Sequence, residues 1–291
     1  MIPESVYAVK RILGKDIAGR NLAVFPDDTF IVSHPRSGNT WTRFLVANLT
    51  HPNELVTLIN IDRLVPDTEA QSRRFFEKVP RPRLIKSHQC YDARYKKVIY
   101  IVRDPRDVAI SYYHFQRKYR HIADDYPINS FVQRFVAGEA SDYGSWWEHV
   151  MSWLGPRHNN PGFLMLRYED MTANTEHELK RIATFLGLKP TPEQLARCVE
   201  QSSAERVRKL EQGQGDHWAS TKGRRKDIPF VGSAKVGGWK EELPQSSVTL
   251  IESDWGPLMK TLGYELSQSD SRPALEPPFV FPIDRRMQHA R

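Results

Sequence analysis

Lys86 and His88 stand two residues apart in the segment RLIKSH (83–88). Side chains two apart on a strand leave the same face, so a cation and a base would sit side by side. A neutral imidazole with an ordinary pKa near ~6.5 can take a proton from an acceptor hydroxyl. A lysine next to it can offset charge developing on a transferred group. One histidine among ten is a weak signal by itself, and two other clusters give it context. In HPRSGNTW (34–41), Gly38 and Thr40 fit the phosphate-loop pattern G-x-x-x-x-G-K-[ST], while Ser33 stands for its first glycine and Asn39 for its lysine. Backbone N–H groups of Ser37, Gly38, Asn39 and Thr40 can converge on an anion at a helix start, with the Thr40 hydroxyl beside them. Arg36 adds a planar fork for phosphate or sulfate oxygens. The third cluster is VIYIVRDPRDVAISYYHF (98–115). Arg103 ends its apolar run, and Ser111 follows the helix-capping Asp104 by seven residues, two helical turns.

The loop lacks the lysine and a metal-holding acid that ATP γ-phosphoryl transfer uses to neutralise a highly charged group. A group with fewer charges, such as a sulfuryl, needs no metal. Two anion sites on neighbouring strands, with a base between them, imply a ligand charged at two places. That combination is far more specific than any one member.

The elements that must position these residues can be read from pattern. Phe30, Ile31 and Val32 form a short apolar strand, and helical spacing begins at Trp41 and runs through Phe44, Leu45 and Leu49. RLIKSH is a second strand. KKVIYIV (96–102) and GFLMLRY (162–168) are continuously apolar, as strands buried on both faces of a parallel sheet are. Asp104 and Pro105 open a helix. Further helices are predicted at 128–138, 144–154 and 176–187, and TPEQ (191–194) makes a capping box for another. Strands alternating with helices predict an α/β fold, one domain with a parallel β-sheet flanked by helices. Residues 51–82 read as irregular chain, and the glycine-rich, basic stretch 212–240 as a mobile loop or lid. The expected division is an N-terminal extension (1–24), the catalytic domain (25–265) and a Pro-rich tail (266–291).

Composition bounds the partners. The 291 residues are 40 % hydrophobic and 26 % charged, with a formal charge of +7 and a pI near 9.3. Such a balance suits a globular enzyme with anionic ligands. No nucleic-acid motif accompanies the charge, so nucleic acid is not an expected partner. Cys90 and Cys198 form no paired pattern, which fits a reducing compartment and supplies no metal site. No apolar run approaches ~18 residues, and MIPESVYAVKRILGKD has no secretory core. The expectation is a cytoplasmic protein with no metal, no transmembrane segment and an oligomeric state left open.

Together these segments resemble the cytosolic-type sulfotransferases that use 3′-phosphoadenosine 5′-phosphosulfate (PAPS). HPRSGNTW is similar to that family's 5′-phosphosulfate loop, usually Tyr-Pro-Lys-Ser-Gly-Thr-Thr-Trp. RLIKSH resembles the segment ending in its catalytic histidine, and VRDPRDVAISYYHF its 3′-phosphate segment. LRYEDM and GSWWEHVMSW also resemble family segments, and the likeness runs from Phe25 to Tyr264 in the right order. The resemblance implies a P-loop-like sulfotransferase fold, with PAPS as donor and a hydroxyl on a small molecule, glycan or lipid as acceptor. It further implies that Arg36, Ser37, Gly38, Asn39 and Thr40 hold the phosphosulfate, and that Trp41 stacks on adenine. Arg103 and Ser111, with Tyr168 nearby, would hold the 3′-phosphate. His88 would be the general base and Lys86 would steady the sulfuryl group. There are departures. Arg36 replaces a lysine, and SSA (202–204) replaces Thr-Ser-Phe, leaving Ser202 near adenine. Gly232, Ser233 and Ala234 stand where the family has Arg-Lys-Gly. Backbone N–H groups of Ser233 and Ala234, with Lys235 or KGRRK (222–226), are the available substitutes, and weaker PAPS binding is expected. The missing clamp also leaves a second reading, a catalytically weak nucleotide-binding regulator on the same fold. Trp146, Trp147, His149 and Tyr113 are candidates for the acceptor pocket, although aromatic residues at helical spacing more often build core.

Overall fold

The computed structural model describes residues 11, 13–232, 235–267 and 272–275. Its centre is a sheet of four parallel strands: β1 (Thr29–Ser33), β2 (Leu84–Ser87), β3 (Lys97–Val102) and β4 (Phe163–Arg167), in the order β2-β1-β3-β4. Val32 is aligned with Ser87 on one side and Tyr100 on the other, and Val102 with Arg167. The carboxyl ends of all four strands therefore lie along one edge, where the residues following each strand can meet.

Strand alternation builds two cores. Phe30, Val32, Val98, Tyr100 and Val102 pack with Trp146, Trp153 and Ile251 on one face. Ile31, Ile99 and Ile101 pack with Phe44, Leu45, Leu166 and Ile182 on the other. Each such side chain stabilises by roughly 1.5–3 kcal/mol when fully buried, which explains why these strands carry almost no polar residues. The N-terminal segment joins this core, since Ala18 and Leu22 are buried in it and Asp16 pairs with Arg73.

After β1 comes α1 (Asn39–Thr50). The segment 51–82, expected to be irregular, holds two single-turn helices, α2 (Ile61–Leu64) and α3 (Arg73–Phe76), the latter capped by the Ser72 hydroxyl. Between them Asp67 bridges to Lys86 in parallel alignment, which lays this connection along the edge of β2. Beyond β3, α4 (Pro105–Lys118) begins as predicted, with Asp104 accepting from the Arg106 amide and Pro105 in the first turn. Next come α5 (Ile128–Val136) and α6 (Trp146–Arg157), which opens on a Ser145–Glu148 capping box. After β4 lie α7 (Tyr168–Ala173), α8 (Thr175–Leu186) and α9 (Pro192–Gln201), whose Thr191–Gln194 box is the predicted one. A further helix, α10 (Ala204–Gln214), is not expected from the sequence pattern: only Val207 and Leu210 are buried in a stretch otherwise rich in charge. Helices α11 (Trp239–Glu242) and α12 (Gln245–Thr261) complete the domain. No helix among the described residues is long and apolar enough to cross a membrane.

Candidate active site

The loop between β1 and α1 is shaped by Gly38, which caps the helix at φ 98°. A Cβ there would meet Tyr168 Cδ2 at 2.5 Å, so both backbone and space require glycine. The first intrahelical bond runs from the Thr42 N–H to the Gly38 carbonyl at 3.1 Å. The amides of Asn39, Thr40 and Trp41 thus precede it and face outward as orphan donors, with the helix dipole behind them. Ser37 differs from expectation. Its N–H donates to the His34 carbonyl at 3.3 Å and its side chain is fully buried, so it completes the turn and does not line the cavity. Asn39 also supports the loop. Its side-chain amide donates to the Ile31 carbonyl at 3.2 Å and the Ser33 hydroxyl at 3.3 Å, tying the helix start to β1.

Arg36, itself at positive φ, sends its side chain across to α4. Its Nε donates to Ser111 Oγ at 3.1 Å and its Nη2 to the Phe230 carbonyl at 2.9 Å. The guanidinium lies over the rings of Phe115 (5.1 Å) and Phe230 (5.0 Å). Burial, assisted by the like charge of Arg103, pushes its pKa down to about 10, which leaves it a cation at neutral pH. Arg103 donates to the Arg36 carbonyl at 3.3 Å and the Lys235 carbonyl at 3.1 Å, and it stacks on Tyr168 at 4.3 Å. Its own carbonyl is held by the Trp146 indole N–H at 3.1 Å. Its Nε is buried without a hydrogen-bond partner. Arg36, Arg103 and Ser111 therefore form one basic cluster, which touches the loop through the bond from Arg103 to the Arg36 carbonyl.

Lys86 and His88 do leave β2 into the same cavity. His88 Nδ1 lies 2.7 Å from the Ser33 carbonyl. A carbonyl only accepts, so Nδ1 carries the proton and Nε2 keeps the lone pair. Burial, followed by the charge of Lys86, holds the His88 pKa well below its ordinary value. The ring is neutral throughout the physiological range. Behind it, His149 Nε2 donates to the His88 carbonyl at 3.0 Å, and His149 Nδ1 accepts from the Tyr100 hydroxyl at 2.9 Å.

Two residues that sequence reasoning missed, Asp67 and Glu69, meet Lys86. Its ammonium donates to Asp67 at 3.0 Å and to Glu69 at 2.9 Å. Glu69 also accepts from the His88 N–H at 3.0 Å and from the Thr68 hydroxyl at 2.7 Å. Although burial opposes ionisation, these donors bring Glu69 down to about 2, whereas burial raises Asp67. Nothing in their spacing pointed to Lys86; the signal is the bridge from Asp67 to β2, which exists only in the fold.

These groups share one cavity of 1220 Å³. Arg36, Gly38, Asn39, Thr40, Trp41, Lys86, His88, Arg103, Ser111, Tyr168 and Lys235 all line it, with Tyr112, Phe115, Tyr119, Tyr143 and Phe230 making its walls. Trp41 packs edge-on against Tyr168 at 5.7 Å. Ser202 is turned away: it is fully buried and its hydroxyl takes the Asn48 amide at 3.1 Å, while Ser203 and Ala204 reach the wall. Ser233 and Ala234 lie outside the described residues. Trp146 and His149 are core residues, and Trp147 and Tyr113 pack against that core, so none of the four lines the cavity. Described residues of the stretch expected to form a lid line the cavity. Buried Lys118 holds this stretch through the carbonyls of Arg225 (2.7 Å) and Ile228 (2.6 Å), and Glu211 accepts from the Phe230 and Val231 amides. Two of the four KGRRK charges are paired there: Arg225 with Asp124 and Asp227, and Lys226 with Asp216. Arg224 stacks on Tyr119 at 4.2 Å. Among the described residues no cluster of metal-ligating side chains occurs.

Known proteins resemble this chain over most of its length. The model of the sulfotransferase domain matches residues 26–263. Sulfotransferase 1B1 of the dog (Canis lupus familiaris) is 30 % identical over 231 residues, 74 % of this chain and 77 % of the relative. Sulfotransferase 1A1 of the rat (Rattus norvegicus) is 31 % identical over 76 % of this chain and 80 % of its own. Among solved structures, mouse sulfotransferase SULT7A1 complexed with PAP has the same fold, with a TM-score of 0.69 and 24 % identity over 82 % of this chain and 87 % of that one. The chain belongs to the sulfotransferase domain family.

Proposed function

We propose that this sulfotransferase moves the sulfuryl group of PAPS to an acceptor hydroxyl, with His88 as general base. One observation carries the reading. His88, its Nε2 left as the basic nitrogen by the bond from Nδ1 to Ser33, shares a cavity with both a row of open helix amides and the Arg103–Ser111 cluster. The donor fits this chain's residues. The amides of Asn39, Thr40 and Trp41 receive the 5′-phosphosulfate, the buried unpartnered Nε of Arg103 and the Ser111 hydroxyl receive the 3′-phosphate, and Trp41 faces adenine. Lys235 borders the same end through its carbonyl, which accepts from Arg103, while its ammonium pairs with Glu241.

In the reaction, the acceptor oxygen forms its bond to sulfur as the bond from sulfur to the 5′-phosphate oxygen breaks. The acceptor proton passes to His88 Nε2, and adenosine 3′,5′-bisphosphate leaves. General-base help contributes roughly 10²–10⁴-fold, and donors already fixed on the loop need no reorganisation at the moment of transfer. The depressed pKa of His88 keeps it neutral but makes imidazolium formation harder. Asp67 and Glu69 answer that difficulty. Their charges offset Lys86, whose ammonium otherwise opposes proton uptake by His88, and Asp67 favours the imidazolium directly. Lys86, once the donor is bound, can share its three donors between these carboxylates and the sulfuryl oxygens. The aromatic walls suit a small acceptor with an apolar or aromatic body.

The test is incubation with 35S-labelled PAPS and a panel of phenols, steroid alcohols, sugars and lipid alcohols. Labelled product with stoichiometric adenosine 3′,5′-bisphosphate is expected. Saturable nucleotide binding with no transfer to any class supports the regulator reading in its place.

A further inference from the structure

We infer that the acceptor carries an anionic group (a carboxylate, sulfate or phosphate) remote from its reacting hydroxyl. Arg224 and Arg120 receive that group where the catalytic cavity opens into a second cleft. This rests on the transfer reading above and adds the substrate class.

Helix α4 gives the direction. At a rise of ~1.5 Å per residue, the eight residues from Ser111 to Tyr119 span about 12 Å along its axis. Tyr119 still lines the catalytic cavity. Burial raises its pKa; the charges of Arg224 and Arg36 oppose this, and that of Asp67, which also acts on His88, adds to it. The wall at Tyr119 thus lies beyond the 3′-phosphate cluster and within electrostatic reach of the transfer centre. There Arg224 stacks on the Tyr119 ring at 4.2 Å, a pose that leaves the N–H edge of its planar guanidinium to a ligand. Its backbone is fixed on both sides. Its amide donates to the Thr221 carbonyl at 3.0 Å, Lys118 holds the next carbonyl at 2.7 Å, and the Tyr119 hydroxyl donates to the Ser220 carbonyl.

The second cleft, of 920 Å³, shares Arg224 and Asp227 with the catalytic cavity and adds Arg120, Arg225, Lys226 and Asp124. Arg225 takes both of its carboxylates, Asp124 and Asp227, and Lys226 pairs with Asp216 outside it. Among the described residues no carboxylate pairs with Arg120 or Arg224. Arg120 stands at φ 58°, a left-handed conformation unusual for a residue with a side chain. Two arginines without acidic partners in one cleft favour an anion over a neutral or cationic group, and their forked donors suit carboxylate, sulfate and phosphate oxygens. The rings of Tyr112, Phe115 and Tyr119 line the way between and suit the body of such an acceptor.

The test compares acceptors that differ only in charge: 4-hydroxyphenylalkanoic acids of increasing chain length and their primary amides. Transfer from labelled PAPS is measured for wild type, Arg224→Gln, Arg120→Gln, the double variant and Arg224→Lys. At the chain length that spans the cavity, wild type is expected to favour the acid over the amide by about tenfold in kcat/KM, as two solvent-exposed charge contacts allow. Each single glutamine variant is expected to cut that ratio by about 3- to 5-fold, through KM of the acid and not kcat. The double variant is expected to show almost no preference, and Arg224→Lys to keep part of it. Affinity for adenosine 3′,5′-bisphosphate reports that each variant is folded; if Arg224→Gln fails this check, Arg120→Gln, at an exposed position, decides. Equal kcat/KM for acid and amide at every chain length overturns the inference and leaves the transfer reading standing. A preference for the acid that persists in the double variant overturns it as well. No transfer to either series, with the bisphosphate bound, counts against the transfer reading and this inference together.

Discussion

His149 gives a quantitative handle on how the base is held. It is completely buried, donates from Nε2 to the His88 carbonyl and accepts the Tyr100 hydroxyl at Nδ1. Burial pushes its pKa down to about 3. The unfolded chain protonates this residue as pH falls through about 6.5, while the folded chain does not until about 3. Between those values the unfolded state binds more protons, so stability falls with pH. Integrating from pH 7.5 to 5.0, one such histidine removes about 2 kcal/mol. His34, 5.6 Å from His149 and likewise brought to about 3 chiefly by burial, adds a comparable loss. The raised carboxyls of Asp67, Asp107 and Glu169 act in the opposite direction, so a difference measurement is needed. The perturbation is His149→Gln, read by urea denaturation at pH 7.5 and 5.0. At pH 7.5 the variant loses about 1–3 kcal/mol because Tyr100 and the His88 carbonyl are left poorly paired. At pH 5.0 the gap narrows by about 2 kcal/mol, since glutamine has no proton to gain. Parallel stability curves for the two proteins at both pH values refute the argument.

Three other outcomes are expected. Gly38→Ala strains a left-handed backbone by about 1–2 kcal/mol and drives a methyl into Tyr168; denaturation midpoint and bisphosphate affinity both fall, the latter by at least about tenfold. Lys86→Met strands the carboxylates of buried Asp67 and partly buried Glu69 and costs about 3–5 kcal/mol, and adding Asp67→Asn with Glu69→Gln restores most of it. Because burial keeps His88 neutral, kcat/KM stays level from pH 8 to below 6.5; a decline centred on an ordinary histidine pKa counts against the buried base.

The parts read most readily from sequence were those fixed by local pattern. The apolar runs at 96–102 and 162–168 marked strands β3 and β4, although only β3 is buried as expected and β4, at the sheet edge, buries Leu166 alone; Asp104-Pro105 and Thr191-Gln194 carry their own helix starts. The loop at 34–41 announced itself through glycine chemistry. What escaped depends on long-range geometry. Asp67 and Glu69 sit in chain without a periodic signal and gain meaning only where that chain lies along β2. Helix α10 hides among charges because its buried stripe is two residues wide. Side-chain direction was likewise beyond spacing: Ser37 and Ser202 turn inward, and Arg36 turns toward α4. His149 and Trp146 proved to be supports for His88 and Arg103 and not pocket walls.

The central claim is that Nε2 of His88 takes the acceptor proton. Its most direct test is single-turnover transfer from labelled PAPS by wild type and His88→Ala, alongside bisphosphate affinity for both. A rate reduced by about 10²–10⁴-fold with affinity changed by less than about twofold is the predicted result. Transfer by His88→Ala at the wild-type rate contradicts it.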